Sequence, residues 1–256
     1  MRSPSVICIT GASSGIGAAL AEAYSISGNT LLLLGRDEAR LTHVAAQCSA
    51  HGAAVHFACV DVCDEPAMYA QLTAWDAIYP IDLLIANAGV SGGTLGGDEP
   101  LSQARRIFEI NVMGVLNTVQ PILPRMKARG VGQVALMASL ASFRHFPTAP
   151  AYSASKAAIR FYAESMAGLY APHKIQFSAI CPGYIDTPLT QKNGFYMPFL
   201  MSPARAAQRI KQQLAVGKRR IAFPKRLYIP LFLLSCLPSV WTNWLFEILP
   251  SKPQNS

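Results

Sequence analysis

The sequence predicts an α/β fold, a Rossmann-like, doubly wound parallel sheet with helices on both faces. Short apolar runs alternate with longer helical stretches along the chain, as expected when a crossover helix follows each strand. The run at 31–34 is four consecutive leucines, and such a run without polar alternation is typical of a strand that is buried on both faces. A chain of 256 residues can form this fold as one domain.

The individual elements follow from the same patterns. Apolar runs predict six strands, at 6–9, 31–34, 55–59, 83–86, 134–137 and 175–180. Helical stretches between them predict five helices, at 18–27, 36–47, 101–126, 152–170 and 203–214. We find no internal repeat and no low-complexity tract that would suggest a different architecture.

A glycine-rich turn separates the first strand from the first helix. Residues 10–17 read Thr-Gly-Ala-Ser-Ser-Gly-Ile-Gly, a G-x-x-x-G-x-G spacing. Glycines allow the backbone to approach a pyrophosphate, and the helix N-terminus offers free N–H groups and the positive end of its dipole. The alternative is a tight turn without a ligand. We predict a phosphate site formed by Gly11, Ser13, Ser14, Gly15, Ile16 and Gly17.

Four residues downstream predict proton-transfer chemistry: Asn111, Ser139, Tyr152 and Lys156. A tyrosine is a poor acid or base near neutral pH because its unperturbed pKa is about 10. Residues four apart share a helix face, so the Lys156 ammonium would lie beside the Tyr152 phenol and lower its pKa. Ser139 would hold a substrate oxygen. The Tyr-x-x-x-Lys spacing alone is weak, since it also occurs on surface helices.

Together these motifs resemble the short-chain dehydrogenase/reductase family. The resemblance extends from about residue 5 to about residue 190 and includes the glycine-rich turn, Asn87-Ala88-Gly89, Asn111 within Asn-Val-Met-Gly, the serine, tyrosine and lysine, and Pro182-Gly183. Ala86 departs from the second asparagine that many members carry before this triplet, which affects no catalytic position. The resemblance implies a homodimer or homotetramer.

The resemblance also implies roles for individual residues. Lys156 would bind the nicotinamide ribose as well as act on Tyr152, and Asn111 would hold a water in a proton relay. For Asn111 the alternative is an amide that satisfies the backbone inside a helix. Thr187 would bond the nicotinamide carboxamide. The other positions implied to contact the cofactor are Asp61 and Val62 at the adenine, Asn87, Ala88 and Gly89 under the cofactor, and Pro182, Gly183 and Ile185.

The end of the second strand predicts NADP(H) in preference to NAD(H). An acidic residue there binds the ribose hydroxyls of NAD, whereas a nearby arginine accommodates a 2′-phosphate. Gly35 stands where NAD-preferring relatives usually carry an aspartate, and Arg36 follows it. Asp37 is the counter-argument, but it opens the next helix and is expected to interact with that helix's dipole.

These observations predict an NADP(H)-dependent oxidoreductase that interconverts a carbonyl and an alcohol. The apolar side chains in the loop after Thr187, together with the apolar tail, indicate a hydrophobic, lipid-like substrate. Ordinary core packing would also explain the apolar side chains of the loop. We assign residues 1–223 to a dinucleotide-binding and catalytic domain and residues 224–256 to a hydrophobic tail. The alternative is a non-catalytic, nucleotide-sensing or membrane-tethering protein. An epimerase or dehydratase is disfavoured by the chain length and glycine spacing.

Cysteine and histidine usage predicts a reducing compartment and no metal site. The six cysteines form no C-x-x-C pair, and several lie in predicted strands, which favours buried free thiols. The five histidines have no companion ligands at metal-binding spacing. The first strand begins within five residues, which leaves no room for a signal peptide. We expect a cytoplasmic protein, at the inner face of a membrane if the tail binds lipid.

The C-terminal quarter carries the charge. The chain has 22 basic and 14 acidic residues, yet there is no acid between Asp186 and Glu247, where nine residues are basic. These nine are Lys192, Arg205, Arg209, Lys211, Lys218, Arg219, Arg220, Lys225 and Arg226. They adjoin an apolar run at 227–249 that contains Trp241 and Trp244 and is interrupted by Pro230 and Pro238.

This combination indicates a membrane-surface element rather than a nucleic-acid site. Two alternatives remain for the tail. It could pack over the substrate pocket or a subunit interface, or it could form a transmembrane helix, which the two prolines disfavour.

Overall fold

A single parallel sheet organises the molecule. The computed structural model describes residues 4–94, 97–238 and 240–241. Seven strands lie in the order β3-β2-β1-β4-β5-β6-β7, and every neighbouring pair is parallel. The strand order reverses between β1 and β4, so a crevice opens beyond their carboxyl ends. The strands are β1 Val6–Thr10, β2 Thr30–Gly35, β3 Ala54–Cys59, β4 Leu83–Ala86, β5 Gly132–Met137, β6 Ile175–Pro182 and β7 Arg220–Phe223.

Helices cover both faces of this sheet, as the sequence predicts. Helices α1, α2 and α8 pack on one face, and α3, α5, α6 and α7 pack on the other. The helices are α1 Gly15–Tyr24, α2 Glu38–Ala50, α3 Glu65–Ile78, α4 Leu101–Phe108, α5 Gly114–Val119, α6 Leu123–Arg129, α7 Pro150–Leu169, α8 Pro203–Ala215 and α9 Lys225–Ser235.

The leucine run in β2 shows why continuous apolar strands suit this fold. Leu31 and Leu33 point into one of the two cores, and Leu32 and Leu34 point into the other. All four are 0% exposed. Because successive side chains of a strand point to opposite faces, a strand between two helical layers needs apolar residues at every position.

The structure corrects one predicted helix. The stretch 101–126 is not continuous: it contains a π-helical turn, Glu109–Met113, and α5 ends at Val119. Residues 120–122 form a turn before α6 begins at Leu123. Pro121 has no N–H to donate to the preceding turn, which accounts for the break there.

Three other elements lie outside the predicted set: α3, β7 and α9. All six cysteines are free thiols, and Cys8, Cys48 and Cys181 are buried. Within the described part of the chain, no helix is both long and apolar enough to cross a membrane. Trp244 and the rest of 242–256, which belong to the predicted tail, lie outside the described residues.

Candidate active site

A cleft of about 720 Å³ lies beyond the carboxyl ends of the strands. It is lined by the glycine-rich turn, by the residues that follow β2, β3, β4, β5 and β6, and by the start of α7. Of the residues predicted to bind the cofactor or to act in catalysis, all line this cleft except Gly17 and Asn111. Motifs spread from residue 11 to residue 187 of the sequence are thus brought together at one place.

Gly17 supports the turn from behind. A Cβ on Gly17 would overlap the carbonyl oxygen of Gly11 and would lie 2.6 Å from Asn87 Nδ2. That amide donates to the carbonyl oxygens of Thr10 and Gly11, at 3.0 and 3.2 Å. Only glycine allows α1 to approach the turn this closely, so Gly17 fixes the shape of the cleft without lining it.

The first turn of α1 is open toward the cleft. Ser14 is its N-cap residue, with an extended backbone, but its side chain makes no capping hydrogen bond. The first N–H groups of a helix have no intrahelical partners, and they carry the positive end of the dipole. Open N–H groups beside a glycine turn fit the pyrophosphate of a dinucleotide.

At the far end of the cleft, Arg36 lies beside Asp61. Arg36 Nη1 donates to Asp61 Oδ2 at 3.3 Å, and both side chains are partly exposed. Partial burial opposes ionisation of Asp61, but hydrogen bonds from the Cys63 N–H and from Arg36 hold the pKa of its carboxyl below the usual value. A guanidinium therefore lies in the cleft just after the end of β2.

Asp37 is the N-cap residue of α2, as the sequence predicts. Its carboxylate accepts hydrogen bonds from the Arg40 backbone N–H at 2.9 Å and from Arg40 Nε at 2.7 Å. The hydrogen bonds from Arg40 lower the pKa of Asp37. The carboxylate that could have favoured NAD is therefore engaged with its own helix.

Ser139, Tyr152 and Lys156 meet at the carboxyl end of β5. Tyr152 is hydrogen-bonded to Ser139, which follows that strand. Lys156, one turn later on α7, donates from Nζ to the carbonyl oxygen of Met137 at 2.9 Å. A Cβ on Gly89 would lie 3.2 Å from Lys156 Nζ, so glycine leaves the space that this ammonium occupies. A phenol, a hydroxyl and an ammonium thus face one cleft.

The structure does not show the lowered Tyr152 pKa that the sequence predicts, and the effect of Lys156 on it stays a prediction. Burial raises the pKa of Tyr152, and the hydrogen bond from Ser139 offsets only part of that rise. Burial also lowers the pKa of Lys156, to about 8. The physical reason is that removing either charged form from water costs more than its neighbours return.

Asn111 lies in the π-helical turn, and its side chain is fully used by the protein. Its Oδ1 accepts from the Val90 N–H at 2.8 Å, and its Nδ2 donates to the Val90 carbonyl at 2.9 Å and to Ser155 Oγ at 3.1 Å. These bonds join the loop after β4 to helix α7. The geometry therefore matches the backbone-satisfying alternative that the sequence left open, and water binding stays a prediction.

Glu99 is a residue that the sequence did not indicate. Helix α7 begins after Ala149, which provides no side-chain cap. Glu99 Oε2 accepts from the backbone N–H of Ala151 at 2.9 Å, and Glu99 Oε1 accepts from Gln103 Nε2 at 3.1 Å. This carboxylate caps the first turn of α7, which contains Tyr152. Because 52 positions separate Glu99 from Ala151, no local pattern reveals the contact.

Comparisons with known proteins identify the family of the chain. The family model for short chain dehydrogenases matches residues 5–195. An uncharacterized oxidoreductase of Myxococcus xanthus is 33% identical over 232 residues, which is 90% of this chain and 92% of that protein. The structure of L-sorbose reductase from Gluconobacter frateurii with NADPH and L-sorbose is 25% identical, with a TM-score of 0.76 over 87% of this chain and 95% of that chain.

A further solved structure shares the fold. A short chain dehydrogenase/reductase from Burkholderia phymatum, in complex with NAD, has a TM-score of 0.83 at 22% identity and covers all of both chains. The family match covers most of the sequence. The chain belongs to the short-chain dehydrogenase/reductase family, and it is an NAD(P)-dependent oxidoreductase that acts on CH–OH or C=O groups.

Proposed function

We propose that the protein is an NADP(H)-dependent oxidoreductase that interconverts an apolar carbonyl compound and its alcohol. The observation that carries the proposal is the meeting of Ser139, Tyr152 and Lys156 in the cleft that also contains the open first turn of α1. A non-catalytic sensor would bind the cofactor equally well but would have no use for this proton-transfer group.

In the reductive direction, Tyr152 would give its phenolic proton to the developing alkoxide. Ser139 would donate a hydrogen bond to the same oxygen and hold the carbonyl against the phenol. The nicotinamide cofactor supplies the hydride to the carbonyl carbon when it is bound. Lys156 would bond the cofactor's ribose and provide positive charge beside the phenol.

The remaining cleft residues would hold the cofactor. Gly11, Ser13, Ser14, Gly15 and Ile16 would cradle its pyrophosphate, with Gly17 supporting them. Asn111 would act as a positioning residue through Val90 and Ser155. We propose that the other contacts come from Asp61, Val62, Asn87, Ala88, Gly89, Pro182, Gly183, Ile185 and Thr187.

Preference for NADP(H) is part of the proposal. Arg36 lines the cleft with its side chain 57% exposed, so its guanidinium can form charge-assisted bonds to a 2′-phosphate. Gly35 offers no carboxylate, and that of Asp37 is bonded to Arg40. These contacts support a preference for NADP(H) through Arg36 over a preference for NAD(H) through Asp37.

Fluorescence titration of the protein with NADPH and with NADH tests this preference. We expect NADPH to bind more tightly, and Arg36→Ala to remove most of the difference. Arg36→Lys is the matched variant, because it keeps the charge but loses the planar fork. Equal dissociation constants in the unmutated protein would contradict the preference and leave the catalytic assignment standing.

Tyr152→Phe tests the catalytic assignment. It removes the proton donor but keeps the ring, so turnover should fall by about 10²–10⁴-fold while NADPH affinity is retained. Tyr69→Phe is the control, since Tyr69 is 60% exposed on α3 and outside the cleft. Near-normal turnover of Tyr152→Phe would sink the assignment.

The apolar substrate is supported by the loop that follows Thr187. Hydrogen bonds between Asp186 and Met201 and between Met201 and Tyr184 bring its two ends together. Its first residues, Pro188 and Leu189, line the cleft, and Tyr196, Phe199 and Leu200 further along the loop are exposed. A screen that follows NADPH absorbance with long-chain and polar ketones would test this, and preference for polar ketones would contradict it.

The proposal includes two associations. We propose that the tail, residues 224–256, makes a peripheral contact with a membrane, where an apolar substrate would be found. We also propose a homodimer or homotetramer, an expectation that comes from the family resemblance. Analytical ultracentrifugation of the purified chain tests the second association, and a monomer would contradict it.

A further inference from the structure

Helix α9 is apolar on both sides, which is unusual for a helix at a protein surface. Its inner residues Leu227, Tyr228 and Leu231 pack against the core. Its outer residues Ile229 and Leu233 are 50% and 60% exposed. A surface helix normally turns polar residues to solvent, so the outer face of α9 is an apolar face without a partner among the described residues.

The apolar surface continues beyond the helix. Leu237, Val240 and Trp241 are 43%, 81% and 68% exposed. Tryptophan has an apolar ring with one polar edge and is favoured at the boundary between lipid and water. Helix α9 has 11 residues, so it is about 16 Å long and would lie along a bilayer surface rather than cross it.

A basic groove adjoins this face. It lies between α7, β7 and α9, has a volume of about 660 Å³, and is lined by Lys218, Arg219 and Lys225 among others. The acid in the groove, Glu164, is already bonded to Arg220 at 2.8 Å and paired with Arg160 at 3.5 Å. No ion pair joins Lys218, Arg219 or Lys225 to an acid within the described part of the chain.

The structure also shows which of the nine basic residues are engaged elsewhere. Arg209 lies over the ring of Phe223, Lys211 donates to the Ala23 carbonyl, and Arg226 lies over the ring of Phe199. Among the cations that line the groove, Arg220 is paired with Glu164, and Lys218, Arg219 and Lys225 make no ion pair in the described part of the chain.

We propose that the outer face of α9, together with this basic groove, docks on an anionic lipid bilayer. Apolar side chains at Ile229, Leu233 and Trp241 would enter the lipid, and the three cations would meet its headgroups. The inference names the membrane partner within the proposed function and identifies the surface that binds it. It does not depend on turnover.

Docking here would place the bilayer close to the cleft. A Cβ on Gly183 would meet Pro224 Cδ at 3.0 Å and Leu227 Cδ1 at 3.3 Å, so the start of the helix packs on a residue that lines the cleft. Arg226 lies 5.7 Å from the ring centre of Phe199 in the exposed apolar loop. An apolar substrate could thus pass from lipid to cleft past one short segment.

Flotation of the full-length protein with phosphatidylcholine vesicles, with and without phosphatidylglycerol, tests the surface. We expect binding only to the anionic vesicles, and weaker binding at high salt. The double variant Ile229→Asp/Leu233→Asp should weaken it at least about tenfold. Its matched control is Ile78→Asp/Val131→Asp, at residues that are 68% and 59% exposed elsewhere and should leave binding unchanged.

A second set of variants tests the charges. Lys218→Ala/Arg219→Ala/Lys225→Ala should weaken binding to anionic vesicles about a hundredfold, because each cation near an anionic surface contributes roughly a fivefold factor. Arg105→Ala/Lys127→Ala, two exposed cations on α4 and α6, should have little effect.

Three outcomes would overturn the proposal. They are no binding to anionic vesicles at low salt, equal loss in the control pairs, and self-association that needs Ile229 and Leu233 without vesicle binding. The last outcome would mean that a second copy covers this face. Turnover of NADPH in lipid-free solution is measured separately, so its absence would count against the proposed activity and not against the docking surface.

Discussion

Helices α1 and α7 both begin at the cleft, and they begin differently. The first turn of α1 has no side-chain cap, and its N–H groups are open to the cleft. The first turn of α7 also lacks a cap of its own, but Glu99 closes it from a distant loop. In contrast, α2, α3 and α8 are capped locally, by Asp37, Asp64 and Ser202.

The difference follows from what each helix must hold. An open turn at α1 gives up a capping bond of about 1 kcal/mol and keeps N–H donors for an anion. A closed turn at α7 fixes the backbone beside Tyr152, where small displacements of a proton donor reduce turnover. We interpret α1 as a binding end and α7 as a positioning end.

Lys156→Met on α7 should have the largest effect. Turnover should fall by about 10²–10⁴-fold, because a catalytic cation is lost. The stability of the variant near pH 7 should instead be higher than that of the wild type. The wild type carries a buried ammonium there, and burial lowers its pKa to about 8 from its ordinary 10.5. Thermal unfolding of the cofactor-free protein at several pH values measures this.

The sign of the pH dependence is fixed by proton counts. Between about pH 8 and 10.5 the folded wild type binds fewer protons at Lys156 than the unfolded chain does. Its stability relative to Lys156→Met should therefore rise across that window. A constant difference between the two proteins would show that Lys156 is not a strained buried charge.

Gly17→Ala and Gly168→Ala compare one helical glycine in each helix. At Gly17 a Cβ would overlap the Gly11 carbonyl, so we expect a loss of about 3 kcal/mol in unfolding free energy and weaker NADPH binding. At Gly168 nothing lies within 4 Å, so alanine should stabilise the protein by about 0.5–1 kcal/mol. Equal effects in denaturant unfolding would show that α1 does not depend on close approach.

Glu99→Ala should reopen the first turn of α7. We expect kcat to fall about tenfold or more while the dissociation constant for NADPH changes little, because the residue acts on the helix of Tyr152 and lies outside the cofactor cleft. Glu99→Gln keeps an acceptor for the Ala151 N–H and should restore much of kcat. Glu65→Ala, which removes an exposed carboxylate at the start of α3, is the control. A normal kcat in Glu99→Ala would remove the positioning role.

Asp64→Ala and Ser14→Ala should give the smallest effects. The first should change stability, and the second should change NADPH binding. Loss of the Asp64 cap should cost about 1 kcal/mol of stability, or about 3 °C in Tm, without affecting NADPH binding. The Ser14 side chain makes no capping hydrogen bond, so Ser14→Ala should leave Tm unchanged and weaken NADPH binding. Calorimetry with a cofactor titration separates the two, and a lower Tm for Ser14→Ala would contradict the open turn.

Local patterns were sufficient to predict most of the fold and of the cleft. Six of the seven strands, the glycine turn and the Asp37 cap each depend on residues close together in sequence. Strand β7 was not predicted because it is short and begins with Arg220. Its residues Ile221 and Phe223 are buried only because the strand pairs with β6. The break in the predicted 101–126 helix lies at Pro121, which a prediction from apolar spacing alone does not take into account.

Long-range properties of the site could not be predicted in the same way. The raised pKa of Tyr152 is a consequence of burial, which appears only once the surrounding elements are assembled. The contact between Glu99 and Ala151 joins a loop to the first turn of α7, and the two residues are too far apart in sequence for a local pattern to reveal it. Of the nine basic residues near the C-terminus, only the three-dimensional structure shows that Lys218, Arg219 and Lys225 line one groove beside α9.

The π-helical turn Glu109–Met113 makes one part of the chain intolerant of length changes. Each helical residue turns the chain by about 100°, so deleting one residue there would rotate everything that follows. Gly114 now leaves room for Val62, and Asn117 Nδ2 donates to the Val62 carbonyl at 2.9 Å. Both contacts would be turned away from the cleft wall. Insertions or deletions that arise in evolution or engineering should accordingly accumulate in surface loops and spare this turn.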